Sequence, residues 1–275
     1  MAWFSAANLN AKRKIRCLES PRRPTTQKLR AMKTIRIILL LISMAVPLLS
    51  RAESTSAPVL KPGDTWTYIN TVETAPNGWR QTHDEIVVMR TTSDHVYFET
   101  KQAGTSQAAI EVVSGADWSR SRNVNGTQTV INQPLSFPLT IGKTWQVKYT
   151  EAHPNVKHDS ESFDTRYKVI GPESVKVPAG TFDAIKIEAE GDWTAQTAPV
   201  RAAASGTVTN EAGTTVVSQT RNATPVTATG RLYKAFWYVP EVGRWVKSVE
   251  EYYGSTGVHN QRFSSELESF KPAAQ

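Results

Sequence analysis

The fold is decided by the stretch Phe236-Trp237-Tyr238-Val239-Pro240-Glu241-Val242-Gly243-Arg244-Trp245-Val246-Lys247-Ser248-Val249-Glu250-Glu251-Tyr252-Tyr253. Aromatic and β-branched residues on both sides of Pro240 and Gly243 favour pleated strands, whereas proline and glycine favour the turn between them. The stretch therefore predicts a β-hairpin whose aromatic side chains anchor the core.

Strand and turn patterns of the same kind extend over residues 61–270. Trp66 and Tyr68 alternate with threonines, which places both on one face of a strand. Asn77-Gly78 and Asn125-Gly126 are typical of hairpin turns, and Val177-Pro178-Ala179-Gly180 is typical of a β-turn. No long segment shows a helical period. The sequence therefore predicts an all-β single domain with a mainly antiparallel, curved sheet, a half-barrel or an open barrel, and very little helix.

Smaller features divide this domain. Gly63-x-Thr65-Trp66 and Gly142-x-Thr144-Trp145 share a pattern in which a glycine turn leads Thr-Trp into a strand, through an ancient duplication or by coincidence. The small and polar residues 53–60 predict a flexible lead-in, and residues 151–162 predict a polar loop. Residues 194–230 are rich in Thr and Ala and predict a protruding hairpin insert, with a disordered linker as the alternative.

Most of the positive charge lies in the first 52 residues. They hold eleven of the 32 Lys and Arg and one of the 25 Asp and Glu, so 21 basic and 24 acidic residues remain beyond them. Without this leader the net charge is −3, which gives no basic excess for a nucleic-acid partner.

Residues 32–52 have the order of a secretory signal peptide. Met32-Lys33-Thr34-Ile35-Arg36 is positive, residues 37–49 are apolar, and Ser50-Arg51-Ala52 offers small residues for cleavage after Ala52. The apolar run is shorter than the ~20 residues of a bilayer span. We therefore expect a cleaved signal rather than an uncleaved anchor, and a mature protein that does not span the membrane. Residues 1–31 predict a non-native upstream extension with Met32 as the start, and a basic arm is the alternative.

The only cysteine, Cys17, lies ahead of the predicted cleavage point. The mature chain would then have no disulfide, no thiol nucleophile, no thiolate metal ligand and no lipid-anchored N-terminal cysteine. Export without an anchor predicts a protein of the periplasm or the medium.

No catalytic signature is present. Gly142-Lys143-Thr144 lacks the glycine five residues earlier that a phosphate-binding loop requires, and a Gly-x-Ser-x-Gly nucleophile is absent. His153, His158 and Asp159 match no metal-ligand spacing. His83-Asp84-Glu85 could not converge, because neighbours in a strand point to opposite faces. We predict no catalytic residue, no cofactor and no metal site. A pair of carboxylates for glycoside hydrolysis stays open as an alternative, because the sequence does not give the distance between two carboxyl groups.

Seven tryptophans follow the predicted leader: Trp66, Trp79, Trp118, Trp145, Trp193, Trp237 and Trp245. Some must fill the core, each burying about 200 Å². A curved sheet lined by aromatic rings can also hold an acyl chain or stack on a sugar ring. Trp79 follows a turn, so we expect it to be exposed. For the ligand site we predict Trp66, Tyr68, Trp145, Trp237 and Tyr238.

An ordered set of short motifs resembles a family of exported proteins. The motifs are Pro62-Gly63-Asp64-Thr65-Trp66-Thr67-Tyr68, Phe137-Pro138-Leu139 with Gly142-Lys143-Thr144-Trp145, Val177-Pro178-Ala179-Gly180-Thr181-Phe182, Trp237-Tyr238-Val239-Pro240-Glu241-Val242-Gly243 and Glu266-Leu267. Together they cover most of residues 61–270 and resemble the uncharacterised exported β proteins of Gram-negative bacteria, known as domains of unknown function. The resemblance implies a periplasmic antiparallel sheet, distantly similar to the lipoprotein-carrier half-barrels, without established catalytic residues.

Three functions follow as hypotheses. The leading one is a non-enzymatic periplasmic protein that binds an apolar or amphipathic ligand, lipid-like or glycan, or an envelope protein, on an aromatic concave face. The second is an envelope hydrolase that acts on glycan or ester substrates. The third is a structural interaction module that uses the 194–230 hairpin.

Overall fold

The computed structural model describes residues 54–197, 201–210, 213–222 and 225–274. These ranges contain no α-helix, and accordingly none long and apolar enough to cross a bilayer. The predicted upstream extension and signal peptide, residues 1–31 and 32–52, lie outside the described residues. The strands are β1 (Thr65–Thr74), β2 (Gly78–Thr91), β3 (His95–Gln102), β4 (Ile110–Gly115), β5 (Arg120–Val124), β6 (Thr127–Asn132), β7 (Thr144–Asn155), β8 (His158–Val177), β9 (Gly180–Thr197), β10 (Arg201–Asn210), β11 (Gly213–Asn222), β12 (Thr227–Val239), β13 (Arg244–Gly254) and β14 (His259–Lys271).

Ten of these strands form one antiparallel sheet in the order β4-β3-β2-β1-β14-β13-β12-β9-β8-β7. The first and last strands pair near its middle, with Trp66 opposite Phe270. Strands β4 and β7 are its two edges, so the sheet is open rather than closed into a barrel. Two further hairpins, β5–β6 and β10–β11, form separate two-stranded sheets. The predicted all-β, antiparallel single domain is confirmed.

One face of the large sheet carries the aromatic core, and we call it the inner face. In β1 the buried Trp66 and Tyr68 alternate with the less buried Thr65 and Thr67. Cross-strand partners point to the same face, so the strand register identifies the residues of the other strands that lie on the inner face. On β12 and β9 these include Phe236 and Ile187, which lie opposite each other.

Residues 116–143, which we call the crossing segment, cover part of the inner face. The segment leaves edge strand β4 and leads into edge strand β7. Its Trp118 meets Trp66 edge-on with ring centroids 5.6 Å apart, and its Phe137 meets Tyr238 at 5.5 Å. Leu135 is fully buried. Burial of each such side chain is worth about 1.5–3 kcal/mol, so the segment completes the core of the sheet.

The repeated Gly-x-Thr-Trp pattern corresponds to a repeated backbone arrangement. Gly63 and Gly142 both have positive φ, 96° and 84°. The amide of Gly63 donates to the carbonyl of Val88 (2.7 Å), and that of Gly142 donates to the carbonyl of Val169 (2.9 Å). Each valine amide donates back to the residue after the glycine, at 2.9 Å in both cases. The β1–β2 and β7–β8 pairs therefore begin with the same turn.

The predicted polar loop over residues 151–162 is wrong. Strand β7 continues to Asn155 and β8 begins at His158. The segment is polar because both of its faces meet solvent at an end of the sheet, and a solvated strand needs no apolar alternation.

Two other predicted segments have defined backbone positions. Thr55, in the predicted lead-in, exchanges backbone hydrogen bonds of 2.9 and 2.8 Å with Leu139 of the crossing segment. Within residues 194–230, β9 ends at Thr197 and β12 begins at Thr227. Between them β10 and β11 pair, with Asn210 opposite Gly213.

Candidate functional site

A cavity of about 280 Å³ lies on the inner face, between the sheet and the crossing segment. One wall is aromatic and is formed by Tyr68, Phe98, Trp118, Phe236 and Trp245. The polar lining includes Asn70, Ser114, Asn132, Ser248 and Ser265, and the charged lining consists of Arg120, Arg244 and Glu250. The cavity therefore offers an apolar surface and ionic groups side by side.

Arg244 is the most unusual group in this lining. It is only 9% exposed, and its guanidinium carbon lies 4.4 Å from the ring centroid of Trp118 and 4.6 Å from that of Trp245. Tyr68 is the next ring, at 5.2 Å. Among the described residues, no carboxylate reaches Arg244 and its Nε and Nη1 atoms have no hydrogen-bond partner. Burial lowers the pKa of Arg244, but an arginine remains charged at any physiological pH.

Three aromatic donors fix the backbone around Arg244. The indole Nε1 of Trp66 donates to the carbonyl of Val242, and that of Trp118 donates to the carbonyl of Gly243, both at 2.9 Å. The hydroxyl of Tyr68 donates to the carbonyl of Trp245 at 2.5 Å. The turn before β13 also requires Gly243, whose φ is 69° and where a Cβ would lie 2.7 Å from Leu60. The position of Arg244 is therefore set by residues from distant parts of the chain.

Tyr68 acts as a neutral donor in this arrangement. Burial raises its pKa well above the usual value, and the nearby Arg244 charge offsets only part of that effect. The hydroxyl therefore keeps its proton and its hydrogen bond to Trp245 at any pH at which the protein is studied.

A second buried cation on the same face is fully paired. Lys234 Nζ lies 3.0 Å from Glu250, its cross-strand partner, and donates to Asn132 Oδ1 at 3.2 Å. Tyr167 donates to the same Asn132 oxygen at 2.9 Å. Burial is the largest single influence on Glu250 and raises its pKa, but the charges of Lys234 and Arg120 and the hydrogen bonds from Lys234 and Tyr252 together outweigh burial and hold the pKa of Glu250 below its usual value. For Lys234, burial is again the largest single influence and lowers the pKa, but Glu250 and Tyr252 together outweigh it, so the pKa of Lys234 is raised.

Four of the five predicted site residues lie on the inner face. Tyr68 lines the cavity, and Trp66 lies behind it, with its ring centroid 5.9 Å from the Arg244 guanidinium. Trp145 stacks on Tyr167 at 5.3 Å and donates to the carbonyl of Gln133. Tyr238 packs beneath Phe137. Of these four, Tyr68 alone is part of the cavity lining.

Trp237 lies on the opposite face of the sheet. It is in register with Lys186 and Lys247 of the neighbouring strands, and both ammonium groups lie within 6 Å of its ring, at 5.3 and 5.9 Å. Its Nε1 donates to Glu173 at 2.9 Å. The structure therefore does not bring Trp237 together with the other four residues. The predicted exposure of Trp79 is confirmed, at 66%.

Sequence reasoning missed Arg244 together with Trp118, Trp245 and Phe98. The one available signal was an arginine placed directly after the Pro/Gly turn and before Trp245-Val246. Its burial depends on Trp66 and on the crossing segment, which are far away in the sequence.

The histidines that the sequence singled out take part in local ion pairs. His153 Nδ1 lies 3.0 Å from Asp159, and His158 Nδ1 lies 2.5 Å from Glu161. Within the described ranges, no three His, Cys, Asp or Glu side chains form a group that could hold a metal ion.

The chain matches no protein-family model and no curated protein. Its resemblance to solved structures is weak, as two examples show. One is a proposed lipoprotein from Parabacteroides distasonis, with 16% identity and a TM-score of 0.40 over 80% of this chain and 100% of the other. The second is a proposed exported protein with a YmcC-like fold from Bacteroides fragilis, with 15% identity and a TM-score of 0.39 over 79% and 99%. Neither likeness decides the function of this chain, which has to be inferred from the geometry of the site.

Proposed function

We propose that this chain is an exported, non-enzymatic binding protein for an amphipathic ligand, which it holds on the inner face of its sheet. The observation that supports this function is the cavity of about 280 Å³, in which aromatic rings lie beside polar and charged groups. Ligand sites are typically concave, mostly apolar and supplied with a few placed polar groups. The volume lies just below the ~300–1,000 Å³ of typical ligand pockets. It therefore suits one ring or one short acyl chain better than a lipid with two chains.

Binding can be tested with a pair of variants on β14. Ser265 lines the cavity, whereas the preceding Ser264 is paired with Val249 and points to the opposite face. Ser265→Leu should fill the cavity and abolish binding of a fluorescent single-chain acyl probe, and Ser264→Leu should leave the affinity unchanged. Equal affinity in both variants, with normal circular dichroism, would refute a ligand site in this cavity.

The location outside the cytoplasm rests on the leader. The order of positive, apolar and small residues over 32–52 supports cleavage after Ala52 and release without an anchor. The N-terminal residue of the protein isolated by osmotic shock should be Glu53. A cytoplasmic or membrane-bound protein that retains residues 32–52 would contradict this proposal.

The hydrolase alternative finds less support at this site. A general acid needs a carboxyl group with a raised pKa, and the only carboxylate among the described lining residues is Glu250, whose pKa is lowered by Lys234.

The interaction-module alternative has one observation in its favour, since β10 and β11 pair with each other and not with the large sheet. Crosslinking in cells should show whether replacing residues 198–226 by a short turn removes a partner protein. An unchanged set of crosslinked proteins would exclude this role for the hairpin.

A further inference from the structure

The cavity contains a buried cation without an acceptor. Burying an ionised group is unfavourable unless it is paired, and a buried donor without a partner adds a further cost. The aromatic rings around Arg244 offset part of this cost, because cation–π contacts stabilise its charge. The rings do not, however, accept hydrogen bonds from the N–H groups that lie in the plane of the guanidinium. The described part of the chain therefore leaves Arg244 with unused donors in a cavity that is large enough for a ligand.

The rest of the lining also favours a negative ligand. Arg120, an exposed residue, adds a second positive charge to the cavity wall. The one carboxylate among the described lining residues, Glu250, is already paired with Lys234. The hydroxyl of Ser114, another lining residue, is buried and has no partner within the described ranges. A ligand that brings acceptor oxygens would therefore satisfy groups that the protein itself leaves unpaired.

We propose that the cavity binds a small amphipathic carboxylate. Its carboxylate group would lie on Arg244 and its apolar body against Phe98, Phe236 and Trp245 of the aromatic wall. A carboxylate is planar and carries two acceptor oxygens, so it matches the planar guanidinium in charge and in geometry. This inference rests on the proposed function and adds to it the chemical class of the ligand.

The test compares three probes that have the same apolar chain and differ in the head group: octanoate, octanol and octyl phosphate. The protein is purified from cells that express the full chain, and binding is followed by calorimetry and by tryptophan fluorescence, because Trp118 and Trp245 flank Arg244. Octanoate should bind more tightly than octanol. Arg244→Met should weaken octanoate binding about 10- to 100-fold, as expected for the loss of hydrogen bonds between charged groups, and should leave octanol binding unchanged.

Two further variants serve as controls. Arg231 is exposed and belongs to a different surface groove, so Arg231→Met should change neither affinity. Arg244→Lys keeps the charge but loses the planar group, and should retain part of the preference for octanoate. The ratio of the octanoate and octanol affinities in the unaltered protein needs no variant, and it remains decisive if Arg244→Met does not fold.

Each outcome separates the inference from the proposed function. Equal binding of octanoate and octanol, or octanoate binding that Arg244→Met does not weaken, would overturn the carboxylate and leave the amphipathic ligand site standing. Tighter binding of octyl phosphate than of octanoate would replace the carboxylate by a phosphate monoester. If none of the three probes binds, both the inference and the proposed function fail.

Discussion

Lys234 and Arg244 are two buried cations whose positive charges are stabilised in different ways. Both lie on the inner face, on the neighbouring strands β12 and β13. Lys234 has a carboxylate at 3.0 Å and an amide oxygen at 3.2 Å, whereas Arg244 has five aromatic rings within 6 Å and no acceptor in the described part of the chain. A fully hydrogen-bonded ion pair stabilises the fold, whereas a buried cation without an acceptor indicates a site for a ligand that supplies one.

The largest expected effect follows from breaking the satisfied pair. Lys234→Met would leave Glu250 as an unpaired, mostly buried carboxylate and leave Asn132 without one donor. We expect the free energy of unfolding to fall by about 3–5 kcal/mol, measured by urea denaturation.

A double-mutant cycle provides the control for this prediction. Lys234→Met combined with Glu250→Leu removes both charges, and buried pairs replaced by apolar residues often regain their stability. The double variant should therefore be more stable than Lys234→Met alone. A double variant that is less stable would show that packing around Lys234, and not the pairing of its charge, holds the two strands.

The pH dependence of stability should come next in size. Because the folded pKa of Glu250 is depressed, its contribution is complete above the pKa of the unfolded chain and is lost as the pH falls through the folded value. Between about pH 5 and pH 3 the protein should lose stability more steeply than the variant Glu250→Gln. Thermal unfolding over this range provides the measurement.

Glu173 offers a comparison with a more exposed carboxylate. Its pKa is also lowered, first by the hydrogen bond from Trp237 and then by Lys186. Since nearly half of its side chain is exposed, solvent screens these effects. Glu173→Gln should therefore reduce the loss of stability at acid pH much less than Glu250→Gln does. An equal reduction in the two variants would mean that burial does not strengthen the Lys234–Glu250 pair.

Arg244→Met should have a small effect on the ligand-free protein, in contrast to Lys234→Met. The substitution loses cation–π contacts but also removes a buried charge with unsatisfied donors. The free energy of unfolding should stay within about 1 kcal/mol of the original value or rise above it, since binding sites commonly sacrifice stability for function. A loss as large as that of Lys234→Met would make Arg244 a structural residue and would remove the contrast between the two cations.

The sequence predicted the parts of this molecule that depend on local chemistry. Asn77-Gly78, Asn125-Gly126 and Val177-Pro178-Ala179-Gly180 lie at turns between paired strands because proline, asparagine and glycine favour those backbone conformations wherever they occur. The shared turn at Gly63 and Gly142 was visible in the sequence for the same reason.

The site depended on contacts that no local pattern records. Trp66 reaches the carbonyl of Val242 across 176 positions of sequence, and it is this contact, with that of Trp118, that fixes the turn before Arg244. Trp237, by contrast, was grouped with Tyr238 because both are aromatic, although neighbours in a strand point to opposite faces. The register of β12 with β9 is unbroken across this pair, so the alternation that separates His83, Asp84 and Glu85 also separates Trp237 from Tyr238.

The smallest expected effect on ligand affinity concerns Trp237, and it tests whether the two faces of the sheet have separate functions. Trp237→Phe removes the hydrogen bond to Glu173 and should lower the free energy of unfolding by about 1 kcal/mol. Because Trp237 lies on the opposite face from the cavity, the affinity for octanoate should not change. Trp118→Phe also removes one indole hydrogen bond, but that bond holds the carbonyl beside Arg244, so this variant should lose affinity several-fold. If both variants lost affinity equally, the ligand would have to contact both faces, and neither Arg244 nor the crossing segment would define the site.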